Sequence, residues 1–123
     1  MAKRVLAIGN CSYDHGNLSS AIREHFDAEV HAAADAEEAL GLLGPGSYDL
    51  VLVNRVLEVD RSSGIDLVRR IKDDPQLGDL AVMLVSNFSD AQEKAVEAGA
   101  VAGFGKKALN APEMIACLRP HLV

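Results

Sequence analysis

Apolar residues in this chain fall into two spacings. Three near-continuous runs stand out: RVLAIG (4–9), DLVLVN (49–54) and DLAVMLVS (79–86). Runs without alternation belong to parallel strands covered on both faces. AEVHAA (28–33) and AVAGFG (100–105) are weaker and read as edge strands. Between these runs the apolar positions recur at helical spacing. Leu18, Ala21, Ile22 and Phe26 mark a first helix. A second opens on Asp35 as cap with Glu38 three residues on, carries Ala39, Leu40 and Leu43, and stops at GPG (44–46). Ile65, Leu67, Val68 and Ile71 mark a third, ending before Pro75. The fourth starts at Ser89 and presents Ala91, Ala95 and Ala98. The fifth opens on Asn110 and Glu113 at capping-box spacing, carries Met114, Ile115 and Leu118, and ends at Pro120.

Strand then helix, five times over, predicts an α/β fold of three layers, α/β/α, with right-handed crossovers around one parallel sheet. No linker, repeat or low-complexity stretch interrupts it, so residues 1–123 are expected to form a single domain. With five strands in the order 2-1-3-4-5, the chain reverses direction between strands 1 and 3. The crevice beyond their carboxyl ends is then the expected functional site. Gly9, Asn10 and Cys11 follow strand 1, Asn54 ends strand 3, Ser86 and Asn87 finish strand 4, and Lys106 and Lys107 follow strand 5.

Composition narrows the possibilities. Eighteen acidic residues against twelve basic ones give a net charge of −6, which argues against general nucleic-acid binding. Aromatic residues are 4% and Trp is absent, so Val, Leu, Ile and Ala must build the core. No stretch approaches the about 18 apolar residues that span a bilayer. MAKRVLAIGN is basic then apolar, but reads as a first strand and not a signal peptide. Cys11 and Cys117 have no metal or disulfide spacing, so a cytoplasmic protein with reduced thiols is expected.

Two segments carry a family resemblance. YDLVLVNRVLEVDRSSGIDLVRRIK (48–72) resembles the phosphoacceptor strand, loop and third-helix start of a response regulator receiver domain, the flavodoxin-like fold of the chemotaxis-regulator type. VMLVSNFSDAQEKAVEAGAVAGFGKK (82–107) resembles the family's switch-serine strand, the Ala-Gly-Ala end of its fourth helix, and the lysine after strand 5. The resemblance implies an acidic, magnesium-binding pair at the end of strand 1, where this chain has Gly9 and Asn10. It implies a phosphoryl-accepting aspartate where this chain has Asn54. Ser86 matches the switch residue. Lys106 matches the lysine without a gap, and Lys107 would take its place after a one-residue insertion. The aromatic switch position is correspondingly Gly103 or Phe104. Ten positions separate Asn54 from Gly64, a longer loop than the family's, and its usual proline is missing.

Magnesium is held through carboxylates, phosphates and water, and phosphoryl transfer depends on that charge clamp. With Gly9, Asn10 and Asn54 in the acidic positions, no metal, no cofactor and no enzymatic activity are expected. The chain reads as a pseudo-receiver in a bacterial two-component (phosphorelay) setting. It would stand alone, as a monomer or weak homodimer, and signal through a protein partner such as a histidine kinase or effector, using helices 4 and 5 with strand 5. Neither helix shows an apolar stripe beyond core needs. The alternative is a small-anion or metabolite sensor using the crevice, with Ser86, Lys106 and Lys107 as anion ligands.

An unpaired buried ammonium is costly, so the lysine should reach water, Asp14, Asp60 or an anion. Cys11, Asp14 and His15 are read as capping and turn residues in the loop before helix 1, being too few for structural zinc. Cys11 beside the lysine would have a redox-capable thiol. Asp60 is read as a solvated loop residue. His25 and His31 have no catalytic partner in view.

Overall fold

The apolar runs pair into one sheet, and the helices between them cover both of its faces. The computed structural model describes residues 2–123. Along the chain come β1 (Lys3–Ile8), α1 (Ser12–His25), β2 (Ala28–Ala33), α2 (Ala36–Leu43) and β3 (Leu50–Asn54). Then follow α3 (Gly64–Asp73), β4 (Val82–Val85), α4 (Ser89–Glu97), β5 (Val101–Phe104), a 3₁₀ turn (Lys106–Ala108) and α5 (Pro112–Leu122). The five strands run parallel in the order β2-β1-β3-β4-β5, as expected.

Strand alternation sorts the core into two layers. Leu6, Ile8, Val51, Val53, Val82 and Leu84 face the side of α2, α3 and α4. Val5, Ala7, Leu50, Leu52, Met83 and Val85 face α1 and α5. Nearly all are fully buried, and each large one contributes roughly 1.5–3 kcal/mol by leaving water. The central strands are thereby held firmly, and their carboxyl ends present the rim on which Asn54 stands.

Helix starts follow local chemistry with two exceptions. Asp35 accepts from the Glu38 N–H at 2.9 Å, and Glu38 reaches back to the Ala34 N–H at 2.9 Å. Ser63 caps α3 by accepting from the Asp66 N–H. The fifth helix differs from expectation at both ends. Ala111 holds the cap position, without a side-chain bond, while Asn110 adopts a left-handed φ of 67° and its Oδ1 accepts from His25 Nε2 at 3.1 Å. Pro112 at the first turn supplies the start instead, because its missing N–H costs nothing there. Pro120 lies inside the helix, which runs on to Leu122, whose burial holds the last turn. The fourth strand is shorter than its apolar run: residues 79–81 lead in, and only Val82–Val85 pair.

One further irregularity matters for the rim. Met83 pairs with Val101 but Val85 pairs with Phe104, so β5 carries one extra residue at Ala102–Gly103. Among the described residues, no helix is long and apolar enough to cross a membrane.

Candidate functional site

At the end of β1 the backbone turns at Gly9, with φ of 85°, a region that glycine enters at little cost. Its N–H donates to Ala33 O at 2.8 Å, and its carbonyl is turned toward β3. There the Asn54 amide nitrogen donates to two carbonyls at once, Gly9 O at 3.3 Å and Val56 O at 2.8 Å. Glu58 N–H joins Gly9 O at 2.9 Å. Asn54 therefore acts as a clasp between the β1 end and the loop that follows β3.

That loop is a small hairpin. Val56 bridges Ser63, Leu57 N–H donates to Ser62 O at 2.9 Å, and Arg61 N–H donates to Leu57 O at 2.8 Å. Leu57 folds inward and is fully buried. A Cβ on Gly9 would collide with Leu57 Cδ2 and come within 3.0 Å of Leu57 Cα. The space above residue 9 is filled with hydrocarbon. Asp60 stays exposed and bonds Ser62 through its N–H and hydroxyl; that hydroxyl bond chiefly lowers its carboxyl pKa. It does not reach the rim.

Across the crevice, Lys106 Nζ meets Asp14 Oδ2 at 2.9 Å, with 30% and 35% of the side chains exposed. The bond from Lys106 is the main reason the Asp14 carboxyl lies below its usual 3.8; partial burial opposes it, and the ammonium charge and Cys11 assist. Asp14 and His15 lie within α1, which begins at Ser12, and not in a loop before it. Cys11 is its cap, with Sγ accepting from the Asp14 N–H at 3.5 Å. The first turn of α1 thus carries the carboxylate that faces the lysine. The stabilisation from Asp14 is full above pH 3.8 and is lost as pH falls through its lower folded pKa. Asp14→Asn is expected to cost about 0.5–1 kcal/mol near neutrality, discounted for exposure. In urea titrations the gap from wild type should shrink toward zero in acid. A gap that persists unchanged in acid would refute the assignment.

Ser86 Oγ accepts from Phe88 N–H at 3.1 Å, and Asn87 Oδ1 from Lys107 N–H at 3.1 Å. Asn54, Ser86 and Lys106 line one crevice of about 250 Å³. Lys107 stands outside it, exposed, beside a neighbouring hollow. Both polar side-chain atoms of Asn10 are buried without a protein partner, as is His15 Nδ1. At Gly103, a Cβ would collide with Leu84 O. Gln92 fills the nearby space and donates to Leu84 O at 2.9 Å and Ser86 O at 3.1 Å. Leu57 and Gln92 were not legible as site residues. The only signal was an apolar residue in the loop after β3.

The match to known proteins is with the response regulator receiver domain, whose family model covers residues 14–119. The chain belongs to this family. Among solved structures, Vibrio cholerae chemotaxis response regulator CheY4 superposes with a TM-score of 0.77 at 18% identity, covering 99% of this chain and 100% of that one. Brucella abortus NtrX gives 0.81 at 24% identity, with 99% of this chain and 27% of that one. A Burkholderia pseudomallei response regulator, described with a phosphorylated aspartic acid, calcium ion and citrate, gives 0.73 at 21% identity. This chain covers 66% of the Burkholderia protein's length. At these identities the likeness establishes the shared fold. No curated protein matches the sequence.

Proposed function

We propose that this receiver domain signals without aspartyl phosphorylation, through contacts with a protein partner. The observation that carries the reading is the Asn54 clasp. An N–H donor bonds Gly9 O and Val56 O, the two carbonyls that border the end of β3. A divalent cation needs oxygen ligands facing inward, with charge to offset its dehydration. Here an amide nitrogen faces those carbonyls, Leu57 fills the space over Gly9, and Asp14 is engaged by Lys106. The residues do not fit magnesium, and a neutral amide is no phosphoryl acceptor. The Burkholderia protein is described with a phosphorylated aspartic acid; in this reading Asn54 is its counterpart here and cannot carry the phosphoryl group.

The docking surface in this reading is the α4–β5 face. On this face Val96 is 49% and Val101 36% exposed. A recess of about 400 Å³ between α4 and β5 is walled by Val96, Ala102 and Gly103 and rimmed by Glu93 and Glu97. An apolar plug flanked by basic residues matches it. We place the domain in the bacterial cytoplasm, as one non-enzymatic unit, monomeric or weakly dimeric.

The crevice as an anion sensor is the weaker alternative, since Asp14 already neutralises Lys106. Incubation with acetyl phosphate and magnesium should give no phosphoryl mass gain, and beryllofluoride with magnesium should leave the amide resonances of Asn54, Ser86 and Lys106 in place. A saturable shift at those residues, or a phosphorylated product, would sink the reading.

A further inference from the structure

Beside the Asn54 crevice, between the β3–α3 loop and α4, lies a larger recess of about 470 Å³. Its walls include Arg55, Arg61, Lys94, Ser63, Phe88 and Asp90, and Asn54 is not among them. The chain as a whole has 18 acidic and 12 basic residues, yet here three cations meet one carboxylate. Among the described residues, neither Arg55 nor Lys94 has a carboxylate within ion-pair distance. The Arg55 guanidinium lies 4.9 Å from the centre of the Phe88 ring. Arg61 makes only a 3.6 Å surface contact with Glu58.

Two of these side chains sit where the backbone would be better served by others. Arg61 holds a left-handed φ of 60°, which glycine or asparagine adopts more easily. Phe88 occupies the cap position of α4, where Ser, Thr, Asp or Asn would bond a free N–H, and it is 56% exposed. Neither choice follows local backbone preference, and the two fall together on one wall of the recess. Ser63 accepts the Asp66 N–H, which leaves its own O–H to donate.

We propose that this recess binds a small phosphorylated aromatic ligand of the nucleoside monophosphate class. Arg55, Arg61 and Lys94 hold the phosphate, with the Ser63 hydroxyl donating to it. The base packs on the Phe88–Arg55 stack, as bases do on aromatic and guanidinium planes. Asp90 accepts from a ribose hydroxyl or exocyclic amine. The volume suits a ligand of that size. This site stands whether or not Asn54 blocks phosphorylation.

The test is an amide NMR titration of the full chain with adenosine, guanosine, cytidine and uridine 5′-monophosphates, and with ribose 5-phosphate and adenosine. At least one monophosphate should give saturable shifts at Arg55, Arg61, Ser63 and Phe88. Ribose 5-phosphate and adenosine should each bind about tenfold or more weakly. Phe88→Ser, a better cap, should keep or raise the melting temperature. It should weaken the monophosphate about tenfold and leave ribose 5-phosphate unchanged. Arg61→Gly should also melt no lower than wild type, yet weaken every phosphorylated probe. Absence of saturable shifts at millimolar monophosphate overturns the proposal. So does ribose 5-phosphate or adenosine binding as tightly as the monophosphate, or undiminished binding by both variants.

Discussion

Gly9→Asp should destabilise the domain by about 2–5 kcal/mol. The left-handed backbone contributes roughly 1–2 kcal/mol for a residue with a Cβ, and overpacking a filled site adds roughly 1–3 kcal/mol. Both arise at one place: φ is 85° and the new Cβ would meet Leu57. Gly9→Ala isolates the backbone and packing parts from the carboxylate. Leu57→Ala alone should cost about 2–5 kcal/mol as a buried truncation. Combined with Gly9→Asp it should cost clearly less than the sum, because the vacated space admits the new side chain. Urea unfolding followed by circular dichroism measures all four proteins. Strict additivity, or a Gly9→Asp variant as stable as wild type, would mean that Leu57 does not fill the space a side chain at residue 9 needs. The corollary for the proposed function is that a carboxylate at residue 9 is not accommodated by substitution there alone.

Asn54→Asp is expected to lose about 2–3 kcal/mol near neutral pH. Two hydrogen bonds go, to Gly9 O and Val56 O, and a carboxylate is left facing two carbonyls; each lost bond is worth about 0.5–1.5 kcal/mol and the unmet groups add to it. That repulsion raises the new carboxyl's folded pKa above the ordinary value of about 3.9. The sign follows from linkage. Below pH of about 3.9 the group is protonated in both states and can donate once, so the deficit is smallest there. The deficit grows as pH rises from that value to the raised folded pKa, then levels off. Denaturant midpoints across acid to neutral pH read this out. A deficit that shrinks as pH rises would contradict the clasp. The variant should still gain no phosphoryl group from acetyl phosphate, because Leu57 continues to fill the space over Gly9. Phosphorylation of this single variant would overturn that reason.

The strands and most helices were legible because they are local. A continuous apolar run such as residues 49–54, set between helical patterns, fits a strand covered on both faces in a parallel sheet, and Asp35 with Glu38 caps a helix through neighbours in the chain. The fifth helix start was misread where locality failed. Asn110 has cap chemistry, but its contact with His25, 85 residues away, holds it in a different conformation. The α4–β5 recess was not legible for a related reason: Val96 is an ordinary apolar residue until packing leaves it exposed beside Ala102 and Gly103.

By itself, then, the sequence determined the order of elements, the parallel sheet, the neutrality of Gly9, Asn10 and Asn54, and the presence of lysines after β5. These follow from residue type and spacing, which act over a few positions. Only the tertiary structure decided that Asn54 clasps a carbonyl 45 residues away, and that Leu57 turns inward from the β3–α3 loop onto Gly9. It also decided that Lys106, and not Lys107, meets Asp14 across 92 residues. Those contacts depend on where the sheet brings distant strand ends together, and no local periodicity carries that information.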